Sequence, residues 1–264
     1  MSVTIQGKVY SAIIFDVDDT LIDTSKSYDL AIKKTVKYYT NIEITDSNID
    51  LIRSAGTTYG ANNDWNVSWL LIQLVKNYSQ VQWQTILQTK KIAQIDEQTI
   101  EYIAMKDFFQ NLYLGNPYFN GQGLIDTNEK KLYSDKFFPT LQSYAVKMAI
   151  VTSRPTLEAF HTLQQVNNLV SEFIQEDLLI SLGSKDMNGK LIAEKPSPAP
   201  ILECLHKMQI KSAIYVGNSA SDYISSRDAG IDFIQVGSSQ INKIDSDLTY
   251  IKLNNVNDIL EILN

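Results

Sequence analysis

The chain switches twice between two hydrophobic periods, and the order of the switches leaves few folds open. Residues 9–15 (VYSAIIF) form a short apolar run rich in β-branched and aromatic side chains, the pattern of a buried strand. From Ser25 to about Gly115 the apolar residues recur at helical spacing instead, as in Leu30, Ile32 and Val36, or Trp69, Leu70, Ile72, Leu74 and Val75. Ser25, Asp46, Asp64 and Asp96 are the N-cap residue types in that stretch, and residues 115–126, rich in Gly and Asn, read as its closing connector. From Val146 strands and helices alternate. Strands are predicted at 146–151, 178–182, 213–216, 233–236 and 248–253, and helices at 155–169, 197–207, 221–229 and 256–263. Strands separated by helices build a parallel sheet covered on both faces. The expected architecture is therefore α/β: a Rossmann-like parallel-sheet core of residues 1–22 and 140–264, carrying an all-helical cap of residues 23–139.

The 264 residues are 44% hydrophobic and 20% charged, which suits a globular chain with a sizeable core. With 23 basic and 30 acidic residues the net charge is −7, a poor match to nucleic acid or to an anionic membrane surface. Cys204 has no second cysteine to pair with, the N-terminus lacks an apolar signal-peptide core, and no apolar run is long enough to span a bilayer. A cytoplasmic setting is expected. His161 and His206 lack a second ligand at helical spacing and read as packing or surface residues. Trp65, Trp69 and Trp83 read as core, and Lys33, Lys34, Lys37, Lys130 and Lys131 as solvated faces. Gly121-Gln122-Gly123, with no helix start expected after it, is set aside as a nucleotide loop.

In an open parallel sheet, ligands sit beyond the carboxyl ends of the strands. The first predicted strand ends in Asp16-Val17-Asp18-Asp19-Thr20, and alternate residues leaving a strand project the same way, so Asp16 and Asp18 can face one cavity. Two neighbouring carboxylates favour a bound cation and can divide the work of nucleophile and proton donor. An Asp-x-Asp is equally a strand ending in a turn. The other strand ends add weight: Thr152-Ser153-Arg154, then Lys195-Pro196, then Gly217-Asn218-Ser219-Ala220-Ser221-Asp222. Acids, hydroxyls, a lysine and an amide are the set that a phosphoryl group and a divalent cation require.

These four segments, in this order, resemble the motifs of the haloacid dehalogenase superfamily of phosphotransferases, in its branch with a helical (C1-type) cap. The resemblance implies that Asp16 is a nucleophile that forms an aspartyl-phosphate, and that Asp18 protonates the leaving oxygen. Thr152 and Lys195 would hold the phosphoryl oxygens. Magnesium would be bound by Asp16, Asp18 and Asn218, with Asp222 either holding the outer shell of that metal site or partnering Lys195. Asp18 separates the chain from the dehalogenases of that superfamily, which lack an acid two residues after the nucleophile. Asn218 departs from the pattern, because the family usually carries an acid there. Losing that charge weakens a hard-cation site without abolishing it.

Ser153 and Arg154 are further candidate phosphate contacts beside Thr152. Arg53, in the loop-like stretch 53–65, is a candidate contact from the cap. The expected function is a magnesium-dependent phosphatase acting on a small phosphorylated metabolite. The alternatives are a phosphomutase of the same fold and a non-catalytic phosphate-binding homologue.

Overall fold

The computed structural model describes residues 2–54, 63–89, 92, 94–115, 121–242 and 247–264. They pack as two compact units, one of Met1–Asp23 with Lys130–Asn264 and one of Thr24–Glu129.

The first unit opens with an antiparallel hairpin, β1 (Val3–Ile5) and β2 (Lys8–Tyr10). Gln6 and Gly7 turn it with φ of 47° and 81°, the double left-handed conformation that a two-residue hairpin turn needs. The single strand expected over residues 9–15 is thus split in two. Val9 and Tyr10 belong to the hairpin, and only β3 (Ala12–Phe15) enters the main sheet. β4 (Ile22–Asp23) is the last element before the chain enters the second unit.

The second unit is helical throughout its described residues: α1 (Tyr28–Thr40), α2 (Asp46–Ser54), α3 (Asp64–Asn77), α4 (Trp83–Gln88), α5 (Ile100–Leu114) and α6 (Leu124–Asn128), with one 3₁₀ turn before α4. Its own core runs from Ala31, Ile32 and Val36 through Leu70, Leu71 and Leu74 to Met105 and Phe109. Trp83 is buried there, and Trp65 and Trp69 pack on it half-buried, as core aromatics should. α1 follows Ser27 rather than Ser25, and Asp46 is the first residue of α2 rather than its cap. Two further caps differ from expectation. Asn63, not Asp64, caps α3 by accepting from Trp65 N at 2.9 Å, and Thr99, not Asp96, caps α5 by accepting from Tyr102 N at 3.3 Å. In each case the residue just before the first helical one has the extended backbone that lets its side chain reach the free N–H groups. Gly123 does precede a helix, the five-residue α6. Both Gly115 and Gly123 are glycine because their backbones touch: a Cβ on Gly115 would lie 2.5 Å from Gly123 N. Residues 55–62, the middle of the candidate loop 53–65, lie outside the described residues.

The chain re-enters the first unit at β5 (Lys130–Lys131), which pairs antiparallel with β4, and at α7 (Phe137–Ser143). Residues 130–139, grouped with the cap on sequence, pack in this unit. Phe137 and Phe138 meet Phe15 edge-on, with ring centroids 5.9 and 5.7 Å away, a contact worth about 1 kcal/mol per pair beyond burial. Then follow β6 (Lys147–Pro155), α8 (Thr156–Phe160), a π-helical stretch His161–Val166, α9 (Leu169–Glu172), β7 (Leu179–Leu182), α10 (Ala199–Met208), β8 (Ala213–Gly217), α11 (Ala220–Asp228), β9 (Asp232–Val236) and β10 (Tyr250–Leu253). The helix expected over 155–169 therefore runs over 156–166, changes from α to π hydrogen bonding at His161, and ends before Asn168, whose φ is 51°. The expected last helix is a 3₁₀ segment, Val256–Glu261.

The six-stranded sheet is parallel, in the order β10-β9-β8-β3-β6-β7. After β3 the chain lays β6 and β7 on one side and then β8, β9 and β10 on the other, which makes the carboxyl end of β3 the switch point where an open α/β sheet forms its crevice. Among the described residues no helix is long and apolar enough to cross a membrane.

Candidate active site

Register brings three strand ends level. Phe15 pairs with Ile150 of β6 on one side and with Val216 of β8 on the other. Asp16 continues the ladder, its N–H donating to Val216 O at 2.9 Å. Its carboxylate is buried beside the chain turn that follows. Val17 O accepts from Thr20, Leu21 and Ile22 N in that turn, and Asp19 takes a left-handed φ of 53° to make it. Asp18 in the same turn is half-buried and Asp19 exposed.

Lys195 sits on the loop before α10 and is buried among three oxygens. Its ammonium donates to Asp16 Oδ1 at 2.6 Å, to Asp222 Oδ1 at 2.6 Å and to the Tyr215 hydroxyl at 3.2 Å. A lysine has three N–H donors, so all of them are used. Ser225 Oγ donates to Ser197 O at 2.7 Å and ties this loop to α11.

Asp222, expected either at the magnesium site or as a partner of Lys195, is fully buried and takes the second role. Its Oδ1 takes Lys195. Its Oδ2 accepts from Ser219 Oγ at 2.6 Å, Ser219 N at 2.9 Å and Asn218 N at 3.2 Å. Ser219 Oγ in turn accepts from Asp222 N, a reciprocal cap at the start of α11. The carboxyl also presses on Gly217, where a Cβ would stand 2.6 Å from Asp222 Cγ. Asp222 is thus a holder of Lys195 and of the β8–α11 turn. The nearby Asn218 is half-buried, and among the described residues its side chain makes no hydrogen bond.

Burial and charge set the protonation of this cluster. Burial pushes Asp16 up to about 7, the Asp222 charge adds to the rise, and Lys195 opposes it. Burial works to discharge Lys195, but Asp16 and Asp222 outweigh it and hold the ammonium above the ordinary lysine value. Burial, then Asp222 and Asp16, keep Tyr215 a neutral phenol. Its hydroxyl accepts from Lys195 and donates to Val151 O at 2.9 Å. Tyr215 escaped the sequence reading because an aromatic residue inside an apolar strand looks only like core.

At the end of β6, Thr152 is buried, and its Oγ1 accepts from Arg154 N at 3.1 Å, leaving its O–H free to donate. Ser153 is exposed. Arg154 was expected to contact phosphate, but its side chain has no exposed surface. Nε is ion-paired with Asp18 Oδ1, and Nη1 donates to Thr162 Oγ1 at 2.7 Å. Arg53 lies in the helical unit and is engaged there by Asp29 at 2.8 Å and Asp64 at 3.0 Å.

A doubly wound parallel sheet with a buried carboxylate–lysine–carboxylate cluster at its switch point is the architecture of an α/β enzyme core. The haloacid dehalogenase-like hydrolase family model matches residues 10–230, and the chain belongs to that family. No curated protein matches it. Among solved structures it is similar to phosphatase Tt82 from Thermococcus thioreducens (TM-score 0.62, 21% identity, covering 94% of this chain and 97% of that one). It is also similar to a predicted phosphoglycolate phosphatase from Haemophilus somnus 129PT (0.62, 19%, 96% and 97%). A candidate β-phosphoglucomutase from Thermotoga maritima aligns as well (0.57, 18%, 96% and 97%). At these identities the likeness is one of fold.

Proposed function

We propose that this family member is a magnesium-dependent phosphatase that hydrolyses a small phosphorylated metabolite through an aspartyl-phosphate on Asp16. The observation that carries the reading is the buried Lys195 bridging Asp16 and Asp222 at 2.6 Å to each. A phosphoryl dianion approaches a carboxylate only where positive charge offsets both, and Lys195 supplies part of it.

The residues present fit a divalent cation. Three acids (Asp16, Asp18, Asp222) face two bases (Lys195, Arg154), so the cluster keeps a negative charge. The available donors are hard oxygens: Asp16, the Asp18 carbonyl and the Asn218 amide. Among the described residues no three His, Cys, Asp or Glu side chains group as a metal centre. A site built from these donors would leave several positions to water, as magnesium prefers. When bound, magnesium would neutralise the charge between phosphate and carboxylate.

In the reaction an Asp16 oxygen attacks phosphorus while Asp18 delivers a proton to the leaving oxygen. Asp18 then takes a proton from the water that hydrolyses the aspartyl-phosphate. Thr152 O–H holds a phosphoryl oxygen through both steps, and Lys195 turns to the phosphoryl group the N–H that Asp16 releases when it bonds to phosphorus.

The fold likeness to a candidate β-phosphoglucomutase keeps phosphomutase as the second reading. Release of inorganic phosphate from a panel of phosphate esters, with and without magnesium, tests the proposal. A phosphatase releases it and a mutase returns it to product. Undiminished release by Asp16→Asn would overturn the nucleophile.

A further inference from the structure

Arg154 is engaged too deeply for a substrate contact and in too specific a way for a mere packing residue. Its side chain is wholly buried, whereas that of its partner Asp18 keeps 35% exposure. Nε meets Asp18 Oδ1, and Nη1 meets Thr162 Oγ1 at 2.7 Å. Thr162 is itself buried and lies in the π-helical stretch His161–Val166. Asn167 closes that stretch by donating to Thr162 O twice, from its backbone N at 3.2 Å and from Nδ2 at 2.7 Å. Thr162 is therefore fixed at both its carbonyl and its hydroxyl. A π turn is rare and is found frequently at functional sites. Here it supplies a rigid post for the guanidinium.

We propose that Arg154, braced by Thr162, is the positioning residue for proton transfer by Asp18. The inference rests on the hydrolase reading of Asp16 and Asp18 given above. With Oδ1 held by Arg154, the proton belongs to Asp18 Oδ2. As an Asp16 oxygen bonds to phosphorus and the ester P–O bond breaks, the leaving oxygen keeps the electron pair and takes the proton from Oδ2. As water oxygen then bonds to phosphorus and the aspartyl P–O bond breaks, a water proton returns to Oδ2. A planar, two-ended guanidinium fixes the carboxyl plane in a way that an ammonium does not.

Such a role predicts a leaving-group effect. Phenyl phosphate and 4-nitrophenyl phosphate are nearly the same size, but only the more basic phenolate needs a proton as it departs. In Arg154→Met, kcat/KM for phenyl phosphate falls at least about tenfold further than for 4-nitrophenyl phosphate, within the range that general-acid catalysis contributes. Arg154→Lys recovers only part of the difference. Thr162→Val, which keeps the arginine, moves the ratio the same way by about threefold and serves if Arg154→Met does not fold. An equal fall for both esters in the variants assigns Arg154 a structural role and overturns the proposal, as does an unchanged ratio. Failure of the underlying reading looks different: the native protein releases no phosphate from either ester, or Asp16→Asn releases it as well as native.

Discussion

Lys195 Nζ lies 2.6 Å from Asp16 Oδ1, although 179 residues separate the two in the chain. The contact exists because the fold places the end of β3 between β6 and β8 and drops the loop before α10 onto that end. One ammonium shared by two buried carboxylates is a centre that depends on each of its members.

Asp222→Asn removes one of the two negative charges that hold Lys195. Breaking a buried, hydrogen-bonded pair costs about 3 kcal/mol, so chemical denaturation should show that loss of stability. Turnover should fall by about 100-fold, because Lys195 and the β8–α11 turn lose their common anchor. A variant with native stability and native kcat would show that the pair is dispensable.

Gly217→Ala tests the same anchor from the backbone. The new Cβ would stand 2.6 Å from Asp222 Cγ, so the carboxyl must move away from Ser219 and Lys195. A destabilisation of about 2 kcal/mol is expected, the usual cost of overpacking, together with loss of turnover. Thermal unfolding and phosphate release measure the two effects.

The pH dependence follows from the rise of Asp16 to about 7. Attack needs the carboxylate, so in low magnesium the activity should climb with pH and be half-maximal at about 7. Added magnesium favours the ionised form and should shift that limb to lower pH. For stability the sign is reversed from a salt-bridged acid. The folded state holds the proton more tightly, so this group costs stability as pH rises from the ordinary aspartate value to about 7. Asp16→Asn should lack that downward slope, read from denaturant midpoints across the same pH range.

Asn218→Asp restores a carboxylate beside the metal donors. Magnesium affinity should rise by about tenfold in calorimetric titration, as one more charged oxygen enters a hard-cation site. Unchanged affinity would remove position 218 from the metal site.

The parts of this chain that sequence makes legible are those carried by period and by local chemistry. Alternation after Val146 announces the parallel sheet, and acids, hydroxyls and a lysine at strand ends mark the rim where ligands bind. What stays hidden depends on partners distant in the chain. Phe137 and Phe138 look like the tail of a helical insert until Phe15 is placed beside them. Tyr215 looks like core until Lys195 arrives at its hydroxyl. Arg154 carries the charge of a phosphate contact, and only its burial against Asp18 and Thr162 shows a different use. The hairpin turn at Gln6-Gly7 is a local signal that a polar N-terminus conceals.

In the proposed reaction Asp16 itself takes up the phosphoryl group. Rapid quenching during turnover, followed by borohydride reduction, converts an aspartyl-phosphate to homoserine, and peptide mass spectrometry locates it. Homoserine is expected at position 16, formed only when substrate is present. A protein that turns over substrate while position 16 remains aspartate at every quench time would contradict it.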